Sequence, residues 1–174
     1  MHDSALIARI CNALAHRHAL NNRDVDDLEA AFARSSVPRF DAFLLEENVV
    51  EYPVLLQALS DVYQIPSCDV RGMFFERSML QEFPKDFLLR NEIIPRERID
   101  DNMMIMVAAD PENSELRERI AQFVSYAIEF EVGIARDIED AIKEYYDKAP
   151  TEVDPDGDDD ESDYFFDVVD RESL

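Results

Sequence analysis

Residues Arg39 to Val70, RFDAFLLEENVVEYPVLLQALSDVYQIPSCDV, constrain the fold more than any other stretch of the chain. Phe40, Phe43 and Leu44 fall on one face of a short helix, and Leu55, Leu56, Leu59, Val62 and Tyr63 line a longer one. Asn48 predicts the turn between them, because asparagine tolerates left-handed backbone better than most residues. Pro53 suits the first turn of the second helix. Pro66 removes a backbone donor and disfavours helix at Ile65, so Ile65 to Val70 leaves as an extended segment. A degenerate copy lies 30 residues upstream: Arg9 aligns with Arg39, Ile10 with Phe40, Leu14 with Leu44, His18 with Asn48 and Leu20 with Val50. With a shorter linker, Leu28 aligns with Leu55 and Phe32 with Leu59. Two amphipathic hairpins of this kind can bury their apolar stripes against each other.

The copy accounts for the first part of the chain. Leu6, Ile7, Ile10, Cys11 and Leu14 predict a helix over Ser4 to Arg17, capped by Asp3 or Ser4. Val25, Leu28, Ala31 and Phe32 predict a second, buried on that side, from about Asp24 to Arg34. Beyond Val70 the character changes. Two short helices, split at Pro84, are expected between Arg71 and Asn91. Glu92 to Pro95 and Met103 to Ala109 read as strands joined by a turn at Asp100-Asp101-Asn102, and the continuous apolar run from Met103 to Val107 suits a strand covered on both faces. Asp110 to about Ser125 reads as a helix with Leu116, Ile120, Phe123 and Val124 facing in. Ile128, Phe130, Val132 and Ile134 alternate at the strand period, and Asp137 to Lys148 is the last helix.

These elements predict an α+β protein, a helical hairpin-repeat subdomain packed on a small three- to four-stranded sheet with helices. The expected division is 1-66 for the hairpin repeat, 67-148 for a small α/β-sandwich subdomain, and 149-174 for an acidic, disordered tail. That tail turns on charge. Thr151 to Leu174 holds 11 acidic residues and one basic one, in a chain of net charge -23, and so polar a run buries nothing. Tyr164, Phe165, Phe166, Val168 and Val169 interrupt it as an apolar cluster, which is a peptide that docks on a partner, a segment that folds back on its own domain, or simply a disordered end.

The same charge excludes whole classes of partner. Phosphate-backbone binding rests on clustered Lys and Arg, and 17 such residues against 40 acids leave nucleic acid unexpected. No apolar run approaches the roughly 20 residues of a membrane-spanning helix, and the first residues do not form a signal peptide, so a cytoplasmic protein with no direct membrane insertion is expected. Cys11 and Cys68 sit among apolar residues and are expected as reduced core thiols. His2, His16 and His18 match neither cysteine at ligand spacing, so no metal site is expected. Three glycines, Gly72, Gly133 and Gly157, cannot make a GxxxxGK[ST] phosphate loop or a GxGxxG turn. Neither GxSxG nor HExxH occurs. No catalytic residues and no cofactor are expected, and the expected function is protein interaction.

ALNNRDVDDLEAAF, RFDAFLLEENVVEYPVLLQALSDVYQIPSCDV, FPKDFLLRNEIIP, MIMVAADP and the terminal strand and helix together resemble one family over about Leu6 to Lys148. It is the N-terminal domain of type II secretion and type IV pilus assembly ATPases, the MshEN domain. The resemblance implies a docking module, here without the ATPase motor, whose partner is a secretion or pilus component or a signalling protein. Some family members bind cyclic di-GMP through tandem motifs resembling RLGxxLxxxGxL. By that resemblance the ligand candidates are Arg9, Leu14, Arg39 and Leu44, making a cyclic dinucleotide sensor the alternative function. Cys11, His18, Asp41 and Asn48 stand where those motifs have glycine, and Val62 where a glutamine would follow. Asp41 puts a carboxylate beside a dianionic ligand, so cyclic di-GMP is not the expected partner.

Overall fold

The computed structural model describes residues 3–20 and 22–148. Its first half is four helices: α1 (Ser4–His16), α2 (Asn22–Arg34), α3 (Phe40–Glu46) and α4 (Tyr52–Tyr63). Asp3 caps α1, its carboxylate accepting from the amides of Ala5 at 3.0 Å and Leu6 at 3.4 Å. α1 packs along α4, burying Ile10, Leu14, Leu44, Leu55 and Leu59 in one core. Phe32, Phe40 and Phe43 form an aromatic cluster within it, with ring centroids 5.2 to 6.1 Å apart.

The duplication is visible in the backbone. His18 and Asn48 both adopt left-handed φ, 57° and 52°. Behind each, one amide closes the helix in the same way: Ala19 N–H donates to Leu14 O and Val49 N–H to Leu44 O, both at 2.9 Å. This is the left-handed helix termination that usually takes glycine. Leu14 and Leu44, which supply the accepting carbonyls, are both fully buried.

The second half is a three-stranded sheet of order β1-β2-β3. β1 (Ile93–Asp100) pairs antiparallel with β2 (Met103–Ala108), and β2 pairs parallel with β3 (Ala127–Val132). β2 is central, and Met104, Met106 and Val107 on it are fully buried. The extended exit after α4 touches the end of this sheet. Cys68 N–H donates to Val132 O and Val132 N–H to Pro66 O, both at 2.9 Å, reducing a fourth strand to a single bridge at Ser67. α5 (Arg77–Leu80), α6 (Lys85–Asn91), α7 (Leu116–Ile120) and α8 (Ala135–Lys148) complete this half. Val132 and Ile134 belong to the hairpin core, so the two halves interlock there. Cys11 and Cys68 are buried free thiols, and burial pushes each up to about 11.

Several expectations need correction. The helix expected over Asp110 to Ser125 is a five-residue helix between turns. Asn113 holds the leading turn, its side-chain carbonyl accepting from Glu115 N–H at 3.1 Å. Because that helix ends early, Phe123 is not buried. It is 41% exposed and lies on Phe87 with centroids 4.5 Å apart. Ile134 is not a strand residue, since the chain turns at Gly133, where a Cβ would meet Val107 Cγ1 at 2.5 Å. β1 runs to Asp100 rather than Pro95, accommodating Pro95 by a register shift against β2. On α2, Val25, Leu28 and Ala31 are half-buried, because that helix has fewer neighbours than α1. Among the described residues no helix is long and apolar enough to cross a membrane.

Candidate functional site: an arginine face between the two halves

Arg9 and Arg39 occupy equivalent places in the repeat, and both reach out of the hairpins towards the sheet. Arg9 projects from α1 over the ring of Tyr63, 5.6 Å from its centroid. Its two terminal nitrogens each donate to Glu112 at 2.7 Å, and Nη2 also donates to the carbonyl of Val62 at 2.6 Å. Arg39 precedes α3. Nε donates to Asp41 Oδ1 at 3.1 Å, Nη1 to Glu92 Oε2 at 2.8 Å, and Nη2 to Ala109 O at 3.5 Å. Glu92 follows α6 with φ 50°, while Ala109 and Glu112 lie just beyond β2. Each repeat arginine is thus tied across the boundary between the halves.

The electrostatics differ between the two. The Arg9–Glu112 pair is about half exposed. Its hydrogen bond raises the Arg9 pKa and lowers that of Glu112. Arg39 is more enclosed, and Asp41 beside it is 4% exposed. Burial works against the charge on Arg39, but the charge and hydrogen bond of Asp41, with Glu92 behind it, more than offset that cost and raise its pKa. Burial raises the pKa of Glu92 despite Arg39. Tyr63 is pushed up to about 12 by burial, then by the charge of Asp110. A pocket of about 160 Å³ opens here, its polar lining including Asp3, Arg39, Asp41 and Asp110. It is smaller than the roughly 300 Å³ at which ligand-enclosing pockets begin, and carboxylates outnumber cations on its walls.

The ligand candidates therefore separate. Arg9 and Arg39 come to one face, whereas Leu14 and Leu44 lie fully buried beneath it. The partner-binding candidates Tyr164, Phe165, Phe166, Val168 and Val169 lie outside the described residues. Among the described residues, no group of three or more His, Cys, Asp or Glu side chains is placed to hold a metal ion. Sequence reasoning missed Glu92 and Glu112, two acids in a chain with 40. It also missed a polar cluster on the opposite flank. There Tyr52 donates to Asp137 at 2.6 Å and to Asp69 at 3.3 Å, and the Arg71 guanidinium lies 3.3 Å from the Tyr52 ring centroid. Burial, then the Asp137 hydrogen bond, raises the Tyr52 pKa. The position of Glu112 directly after the AADP turn was the available signal.

Comparison with known proteins follows the same outline. Solved chains of other proteins share the fold. A structure of MshE with cdg aligns over 79% of this chain and 98% of its own, at 16% identity and a TM-score of 0.62. The N-terminal domain of XpsE aligns over 82% and 97%, at 21% identity and a TM-score of 0.54. No curated protein matches the sequence. The family model of the MshEN domain matches residues 63–152, which take in the last residue of α4, the whole sheet and its helices. Half of the sequence thus matches the family directly and the hairpin half matches it in fold: the chain belongs to the MshEN domain family.

Proposed function

We propose that this protein is a non-enzymatic docking module of the MshEN type, engaging a protein component of a secretion, pilus or signalling assembly. The observation that carries the reading is the state of the two repeat arginines. Both are satisfied by carboxylates and carbonyls of the protein itself, so they act as ties that fix the hairpins against the sheet and present a rigid outer surface. The 1-66 unit would offer the hairpin surface, the 67-148 unit the sheet and its helices, and Tyr164, Phe165, Phe166, Val168 and Val169 a further contact element. Affinity capture from native lysate tests the proposal, followed by re-forming the pair from purified components. A stoichiometric complex is expected. Its absence, with the full chain and with a chain ending at Pro150, would overturn the reading.

A second reading, a cyclic dinucleotide sensor, is favoured by one specific observation. MshE was solved with cdg, and this chain keeps both arginines and both left-handed turns of the corresponding motif in register. To take a dianion, Arg9 would have to exchange Glu112, and Arg39 would have to exchange Asp41 and Glu92, for phosphate. Calorimetry with cyclic di-GMP at low salt separates the readings. No heat is expected at ~100 μM ligand, since even millimolar affinity is worth only about 4 kcal/mol. Saturable heat from the unaltered chain would transfer the assignment to sensing. Heat confined to Asp41→Gly would show that the carboxylate alone bars the ligand.

A further inference from the structure

On the flank away from the arginine face, a groove of about 650 Å³ runs between the loop after Val70 and the outer side of α8. Its floor and walls include Met73, Phe75, Ala141 and Tyr145, and Phe74 stands at its edge. Phe74 is 92% exposed, against 8% for the adjacent Phe75. The loop that presents it is shaped by Gly72 at φ 68° and by Met73 N–H donating to Val70 O at 3.3 Å. Large side chains that remain in water beside an apolar groove mark interaction surfaces. Charged side chains line its rim, Arg71 and Arg77 with Asp137, Asp140 and Glu144; Arg71 is already held by Asp69 and Asp137 by Tyr52.

We infer that the occupant of this groove is the chain's own segment Tyr164–Val169. Connectivity selects it. The groove wall is built by Ala141 and Tyr145 of α8, and α8 ends at Lys148, within one turn of Tyr145. Fifteen residues, 149 to 163, separate that end from Tyr164. A random-coil chain of that length would span about 20 Å root-mean-square, and self-repelling carboxylates would lengthen it. Six extended residues cover about 20 Å. A peptide tethered so close has an effective concentration near ~1 mM, so a site of only ~100 μM intrinsic affinity is ~90% filled by its own tail. The segment also has the right chemistry for the apolar walls: three aromatic and two β-branched side chains. A foreign partner for the groove, or for the tail itself, must displace this internal contact, so the tail sets a threshold for docking there. The arginine face plays no part in this, and the proposal stands under either function.

The absence of tryptophan from the chain makes the test direct. Phe165→Trp in the full-length protein provides a sole tryptophan, excited selectively over the tyrosines, in the tail. Its emission should be blue-shifted, and its quenching by acrylamide several-fold weaker, than in a synthetic peptide of residues 160–172 carrying the same change. Adding Phe74→Asp, at a position exposed enough to leave the fold intact, or Ala141→Glu on the opposite wall, should restore peptide-like quenching with an unchanged circular dichroism spectrum. Phe123→Ala, an exposed aromatic elsewhere, should leave the docked signal in place. Peptide-like emission in the parent, or a signal indifferent to both groove substitutions, would overturn the proposal. So would a docked signal that vanishes on dilution, which would assign the groove to a second copy of the chain.

Discussion

At the residue scale, the two arginines of the repeat look alike in sequence and differ in their surroundings. Arg39→Ala would leave Asp41 buried with an uncompensated charge, and breaking such a pair typically costs about 3 kcal/mol. Arg9→Ala removes a pair that stays half in water, worth under about 1 kcal/mol. Urea unfolding of the two variants should show that ordering. His18 and Asn48 invite the opposite change. Left-handed backbone costs a side chain about 1 kcal/mol, part of which glycine returns through its freedom in the unfolded chain. His18→Gly should therefore raise stability by about 0.5 kcal/mol, and Asn48→Gly by less, measured as a shift in urea midpoint. Acid provides a third test. The hydrogen bond from Arg71 holds Asp69 at about 2, below its ordinary 3.8. Its contribution is complete above the unfolded value and is lost as pH falls towards 2. The stability difference between the parent and Asp69→Asn, followed by urea titration from pH 5 to pH 2, should shrink over that interval.

At the scale of elements, Gly133 joins β3 to α8 with no room to spare. Gly133→Ala forces a Cβ against Val107, a fully buried side chain of the central strand, and should cost about 1–3 kcal/mol in thermal or urea unfolding. What could be read from sequence divides along similar lines. Leu14, Leu44, Leu55 and Leu59 announce their helices because burial of one stripe imposes a period, and each of them is in the core. The run Met103 to Val107 announces a central strand for the same reason. The helix before β3 was overestimated because Phe123 fits a helical stripe by spacing alone. Its true neighbours, Phe83 and Phe87, are about 40 residues away in sequence. That Arg9 and Arg39 pair with acids is legible in so acidic a chain, but which acids is not, because an ion pair has no period: Arg9 and Glu112 lie 103 residues apart. His18 could have been read as a left-handed position from its alignment with Asn48.

For the whole molecule, the two kinds of strand pairing have unequal histories. β1 and β2 meet across a two-residue turn, and each helical hairpin is likewise local. β3 reaches β2 in parallel only after a crossover through α7, and parallel pairing of this kind carries a greater loop-closure cost. Substitutions that weaken the β1–β2 hairpin, such as Met104→Ala, should slow refolding. Val132→Ala should mainly hasten unfolding, and stopped-flow chevrons of the two variants would separate these effects. Because β3 also anchors the Pro66–Cys68 exit and carries Val132 into the hairpin core, the loop-closure argument predicts that it docks last, with one side of Met103–Ala108 still unpaired. On that order a newly made or diluted chain should pass through an interval with a bare methionine-rich edge, and its refolding yield should fall as protein concentration rises.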